Sequence, residues 1–247
     1  MTPPLFFVSA TALAADPVVV DGAEGRHAAD VRRLQPGEAV CVGDGRGALV
    51  RGVVADVARG RVEVSVGERL TVPRADPWFV VVQAVAKGGR DLDAAEAMTE
   101  VGVDEVVGWE AARSVARWTE RTSAKWHATV REAAKQSRRS WVPAVAGPLS
   151  TTQVAQRLEA AALAVVLHED GSERLADIAD RREGPGGLPR AGEVVLVVGP
   201  EGGVAAEELE RFAAVGARVC RLGESVLRTS TAGVAALSVL SAAERWR

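Results

Sequence analysis

Two short stretches near the carboxyl end combine residue types that can do chemistry. Val194-Val195-Leu196-Val197-Val198 is an unbroken apolar run that stops in Gly199-Pro200-Glu201-Gly202-Gly203, and Leu222-Gly223-Glu224-Ser225-Val226-Leu227-Arg228 leads into Thr229-Ser230-Thr231. Glycines let backbone N–H groups approach a ligand closely, and proline limits how far a loop can rearrange. A glycine-rich turn between the carboxyl end of a strand and a helix start is where α/β sheets hold ligands. An ordinary strand-to-helix connection is the alternative. Arg228 stands just before a second helix start, which Thr229 or Ser230 is expected to cap, and a lone cation is electrostatically misplaced there. An external anion or a substrate would account for it, as would a salt bridge. Glu201 is a candidate proton acceptor or a loop carboxylate held by backbone, and the residues alone do not choose between the two.

Several chemistries are excluded by absence. There is no GxxxxGK[ST] loop and no GxSxG elbow, and the three histidines are scattered, so neither a P-loop hydrolase, a serine hydrolase nor a metal centre is expected. Gly43-x-Gly45-x-Gly47 precedes a strand rather than a helix and reads as a hairpin turn. Cys41 and Cys220 lie far apart without a CxxC, which argues against a disulfide framework or a zinc site. Both fall inside predicted strands with apolar neighbours.

The net charge of −3 hides a basic segment. From residue 113 to 139, Arg113, Arg117, Arg121, Lys125, Arg131, Lys135, Arg138 and Arg139 stand against Glu120 and Glu132, for a local charge of +6. The first four recur every four residues and would form one stripe on a continuous helix. Trp118, Trp126 and Trp141 interleave with them, which suits base stacking and phosphate contact, although Trp126 could instead pack inward with Val130 and Ala134. Arg26, Arg32 and Arg33 could extend this basic surface, which suits contact with RNA.

The elements that must position these residues follow two rhythms. Residues 5 to 72 read as short strands (17–20, 39–42, 49–57 and 62–66) with one short helix over 27–34, a small β-barrel pattern. Pro73-Arg74-Ala75-Asp76-Pro77 reads as a linker. From Trp78 strands and helices alternate, as in a mostly parallel sheet: strands at 79–85, 105–107, 163–167, 194–198 and 218–222, and helices at 91–101, 205–215 and 229–247. Gly184-Pro185-Gly186-Gly187-Leu188-Pro189 is an excursion between two of these strands. The last helix is apolar nearly all round, which points to burial on several sides, in part by a second subunit. An apolar content of 47% over 247 residues is enough for a proper core. No stretch approaches the ~20 apolar residues of a membrane span, and Leu5-Phe6-Phe7-Val8 is too short for a signal peptide, so no membrane partner and a cytoplasmic location are expected.

GPEGG followed by LGxxVLR resembles the SPOUT class of knotted RNA methyltransferases, and within it the RsmE family, which methylates N3 of a uridine in 16S ribosomal RNA. The likeness extends to His27, Gly43-Asp44-Gly45, Thr99 to Val103 and the Arg131 to Arg139 segment. It implies an α/β fold, with a SPOUT domain over 78–247 that carries a deep trefoil knot and forms homodimers, preceded by a PUA-like β-barrel over 1–72 that docks the RNA of the 30S subunit. It also implies S-adenosylmethionine as cofactor, held by Leu167, His168 and Glu169, by Val198, Gly199, Pro200, Gly202 and Gly203, and by Leu222, Gly223, Val226 and Leu227. Many relatives have Glu where this chain has Ser230, so no role for that glutamate carries over. A sulfonium methyl donor is already an electrophile, so the site mainly has to align donor and acceptor. The uracil N3 proton must be lost, and Arg228 could stabilise the resulting anion. A non-catalytic RNA-binding or ribosome-assembly protein on the same scaffold is the alternative; a small-molecule phosphate binder leaves the basic segment unexplained.

Overall fold

Valines that alternate along residues 62–66 have one face to bury, and they do so in a five-stranded sheet. In the computed structural model, which describes residues 2–181 and 186–246, the chain divides into two units, residues 1–74 with 131–142 and residues 75–130 with 143–247. The first contains β1 (Leu5–Phe7), α1 (Ala10–Ala14), β2 (Val18–Val20), α2 (Gly22–Arg26), β3 (Ala39–Gly43), β4 (Ala48–Ala58) and β5 (Arg61–Thr71). The sheet order is β1-β3-β4-β5-β2, with β1 and β3 parallel and the other pairs antiparallel. Val18, Val20, Val40, Val42, Val50, Val54, Val62 and Val64 close around Phe6 as its core.

The Gly43-x-Gly45-x-Gly47 turn is a hairpin. Gly45 and Gly47 take φ of +72° and +97°, and Asp44 Oδ1 accepts the backbone N–H groups of Arg46 and Ala48 at 2.6 and 3.1 Å. The helix expected over 27–34 starts earlier, as α2, and passes into a π-helical turn at His27–Val31. Within α2 a Cβ on Gly25 would collide with the carbonyl of Gly60, an approach that only glycine permits. β1 and α1 were not expected, since a three-residue strand carries too little periodicity to read.

The second unit contains β6 (Trp78–Ala84), α3 (Arg90–Glu100), β7 (Glu105–Trp109), α4 (Glu120–Gln136, its last turn in the first unit), β8 (Ala144–Leu149), α5 (Thr151–Ala160), β9 (Leu163–Leu167), β10 (Glu173–Arg174), α6 (Leu175–Asp180), β11 (Glu193–Val198), α7 (Ala206–Ala214), β12 (Arg218–Arg221) and α8 (Thr229–Glu244). Its seven strands are all parallel, in the order β10-β12-β9-β11-β6-β7-β8. Parallel strands need crossover helices, which cover both faces and make the strands apolar throughout; Phe79 to Val82 and Val194 to Val198 are accordingly buried. On one face Trp109 meets Phe212 edge-on, ring centroids 5.5 Å apart. α8 packs on β6 and β11 and against α3 and α6, and Gly233 allows the approach to Met98, whose Sδ a Cβ would meet at 2.6 Å.

The chain steps outward through β6, β7 and β8, resumes with β9 on the other side, and only then inserts β11 between β9 and β6. This reversal places the carboxyl ends of β9, β11 and β12 side by side: Leu167 is in register with both Val198 and Cys220. β8 and α5 were not anticipated, although Ser150 and Gln153 form a capping box that announces α5. Gly184 and Pro185 of the expected excursion lie outside the described residues. Among those described, no helix is long and apolar enough to cross a membrane.

Candidate functional site

Each strand of the register trio ends in a loop, and the three loops enclose one cavity of about 560 Å³, within the size range of small-molecule sites. After β9 come His168 and Glu169, after β11 come Gly199 to Gly203, and after β12 come Val226, Leu227 and Arg228. Leu167 and Val198, at the ends of β9 and β11, also line it. A smaller space of about 70 Å³ adjoins it and is lined by Leu222 and Gly223 together with Leu167, Val226 and Leu227. The structure thus brings Leu167, His168, Glu169, Val198, Gly199, Pro200, Gly202, Gly203, Leu222, Gly223, Val226 and Leu227 together with Glu201 and Arg228.

Hydrogen bonding holds the loops in place. Gly203 takes φ of +74°, and its N–H donates to Pro200 O at 2.9 Å, closing the GPEGG turn. Thr229 does not cap α8, contrary to expectation; Arg228 is the N-cap and makes no side-chain cap bond. The buried Thr229 hydroxyl instead donates to Gly199 O and accepts from Gln83 Nε2, both at 2.8 Å, so the start of α8 is tied to the ends of β11 and β6. Burial favours this use, because a hydroxyl away from water must find partners nearby. The salt-bridge alternative for Arg228 fails: among the described residues no carboxylate pairs with it, and it is exposed. Glu201 is ion-paired with Arg90 at 3.1 Å.

Arg90 and Arg113 also line the cavity. Arg90 follows Gly88 and Gly89, both at positive φ, after β6. That is the same signal of a glycine turn closing a parallel strand, and it could have been read from Lys87-Gly88-Gly89-Arg90. Arg113 donates from Nη1 to Gly202 O at 3.1 Å.

The first four basic residues are not one stripe. Arg113 and Arg117 lie in the loop before α4, and of these four only Arg121 and Lys125 are on the helix. Glu110 shapes that loop by accepting the Trp118 N–H at 3.0 Å and sits 3.8 Å from Arg117. Lys135 is buried, with Nζ 3.1 Å from Glu24 and 2.8 Å from Glu132, and cannot present its charge to a ligand. Arg131 is half-buried, 3.7 Å from Glu24 and stacked over Phe7 at 5.0 Å. Arg26, Arg32, Arg33, Arg117, Lys125 and Arg138 are exposed, and Arg139 is half-buried. Arg33 and Arg138 take φ of +55° and +57°, uncommon for a side chain of this bulk. Trp126 offers no face for stacking, whereas Trp118 and Trp141 are half-buried. Trp126 is fully buried and edge-on to Trp118 at 4.8 Å, and Trp141 Nε1 donates to Val72 O at 2.9 Å.

Both cysteines are free and lie in strands, as expected. Burial, aided by the Glu173 charge, pushes the Cys220 thiol up to about 11, and burial raises that of Cys41. Neither is a thiolate nucleophile near neutral pH.

Residues 74–241 match the family model of an RNA methyltransferase domain, and residues 20–67 that of an RNA methyltransferase PUA domain. The chain is 44% identical to the ribosomal RNA small subunit methyltransferase E of Mycobacterium tuberculosis, over 98% of this chain and 93% of the relative. It is 30% identical to the protein of the same name from Bacillus subtilis, over 90% and 88% of the two chains. A solved structure from Legionella pneumophila, described as a methyltransferase in complex with the bound cofactor SAM, superposes with a TM-score of 0.82 at 26% identity, covering 99% of each chain.

Proposed function

This chain belongs to the ribosomal RNA small subunit methyltransferase E family, and from that premise we propose that it methylates N3 of a specific uridine in 16S ribosomal RNA of the 30S subunit. The observation that carries this reading is the cavity and the smaller space adjoining it, built from the loops after β9, β11 and β12, which together unite the GPEGG and LGxxVLR motifs. Its lining fits S-adenosylmethionine: Val198, Val226, Leu227 and Ala232 offer an apolar wall for a purine, the glycine loops offer backbone donors and acceptors, and the volume suits a ligand of that size. That cofactor supplies a methyl group already activated by its sulfonium.

The chain's own residues then have to orient and stabilise. Pro200, Gly202 and Gly203 shape one side of the cradle, and Leu222, Gly223, Val226 and Leu227 the other. Arg228, exposed on the cavity and free of any carboxylate partner among the described residues, stabilises the uracil anion left by loss of the N3 proton. Glu201, held to the wall by Arg90, accepts that proton in this reading; Glu169 is the other carboxylate on the cavity. Methylation of nitrogen fits the cysteines as well, because a pyrimidine carbon acceptor needs a thiolate. Replacing both, as Cys41→Ala with Cys220→Ala, is expected to preserve the transfer rate. Loss of transfer in a double variant that still melts as the parent does would favour a thiol adduct and a carbon acceptor.

In this reading residues 1–72 are a PUA-like barrel that docks RNA, and residues 78–247 hold the cofactor, dimerise and contain a deep trefoil knot. Support for the homodimer comes from α8, whose Val234, Ala235 and Val239 are only partly covered and near whose end Trp246 is 56% exposed. Support for the knot comes from the strand order, in which β11 is inserted between β9 and β6 only after both are in place in the chain. The cytoplasm, where 30S subunits are assembled, is the matching location. The test is transfer from labelled S-adenosylmethionine to undermodified 30S subunits with the product mapped. Methyl on N3 of one 16S uridine is expected; methyl on transfer RNA, or none at all despite RNA binding, would reject the reading, the latter in favour of a ribosome-assembly role.

A further inference from the structure

Arg113 is the point where the basic segment meets the cavity. Its loop is pinned by Glu208, a buried carboxylate in the first turn of α7, which accepts the Ala112 N–H at 2.9 Å and the Thr151 hydroxyl at 2.8 Å through Oε1 and the Ala205 N–H at 3.1 Å through Oε2. This anchorage lays the Arg113 side chain along the GPEGG turn. A Cβ on Gly202 would meet Arg113 Cβ at 3.2 Å, so the absence of a side chain at Gly202 makes room for the stem. One guanidinium nitrogen donates to Gly202 O. Glu201, the nearest acidic residue in that turn, is already paired with Arg90. Arg113 therefore keeps an uncompensated charge and further donors at the cavity wall, and no carboxylate among the described residues claims them.

We propose that Arg113 clamps a backbone phosphate of the RNA next to the nucleotide being methylated, its side chain braced on the cofactor loop. A planar guanidinium with one donor committed to a carbonyl still has donors in its plane for a phosphate. Exposed Arg117, Arg121 and Lys125 follow it in sequence through the loop and the first turns of α4, and offer further phosphate contacts beside it. The proposal rests on the RNA methyltransferase reading and makes Arg113 a residue that sets the register of the target nucleotide.

The experiment compares the full chain with Arg113→Ala and Arg113→Gln, the latter keeping the stem and an amide donor without the charge. Affinity for a 16S ribosomal RNA transcript is measured by filter binding across a salt series, and S-adenosylmethionine affinity by calorimetry. Both variants are expected to bind the cofactor as the parent does, to bind RNA roughly tenfold or more weakly, and to lose about one unit from the slope of log affinity against log salt. An unchanged salt slope, or a loss of cofactor affinity as large as the loss of RNA affinity in both variants, would overturn the clamp and leave Arg113 a prop of the loop. Because the readout is binding, the two readings fail separately. A parent that binds RNA with an Arg113-dependent slope but transfers no methyl group refutes the enzyme and keeps the clamp.

Discussion

Arg228→Ala is expected to slow methyl transfer by about 10²–10³-fold, the usual loss when one preorganised group facing developing charge is removed. The residue is suited to that role because, among the described residues, nothing engages its side chain. It caps α8 with backbone alone, its side chain is exposed on the cavity, and among the described residues no carboxylate neutralises it. For the same reason little stability depends on it, so the variant should melt with the parent. Cofactor binding should also persist, since the cradle around it is backbone and apolar side chains. The discriminating measurement is single-turnover transfer at saturating cofactor and RNA, with calorimetric cofactor affinity alongside. A transfer rate close to the parent's would remove Arg228 from the chemistry; a loss confined to cofactor affinity would make it a binding residue only.

Trp126→Ala is expected to destabilise the second unit by about 3–5 kcal/mol, the range for truncating a large buried aromatic. Trp126 has no exposed surface, donates to Asp91 Oδ2 at 3.3 Å, and packs edge-on against Trp118. Trp118 in turn lies on Gly108, where any Cβ would strike its ring. For a unit of this size the loss corresponds to a melting point roughly 10 °C lower, measurable by scanning calorimetry. The salt dependence of RNA binding should stay as in the parent at a temperature where the variant is folded. A variant that melts normally but binds RNA weakly would restore the tryptophan to a stacking role.

The contrast between these two residues marks how far the sequence can be read. Arg228 was legible because its oddity is local: a cation before a helix start, after a glycine-bearing strand end. Trp126 was ambiguous because an aromatic among arginines has the same pattern whether it faces RNA or a core, and only its neighbours decide. Lys135 is the sharper case. Counted with the basic segment, it proves to be buried between Glu24 and Glu132, and Glu24 lies more than a hundred residues away.

The sequence by itself determined what depends on neighbours along the chain. Apolar runs and glycine stops located the buried strands of the second unit and the GPEGG and LGxxVLR loops, and the Gly43 to Gly47 turn was identifiable because positive φ at glycine is a local property. Only the tertiary structure decided which strand lies beside which. Inserting β11 between β9 and β6 put three loops on one cavity, turned Thr229 from a cap into a tie, and carried Arg113 from a supposed surface stripe to the cavity wall. Pairing order and side-chain partners are set by contacts between residues distant in sequence, and no window of local periodicity contains them.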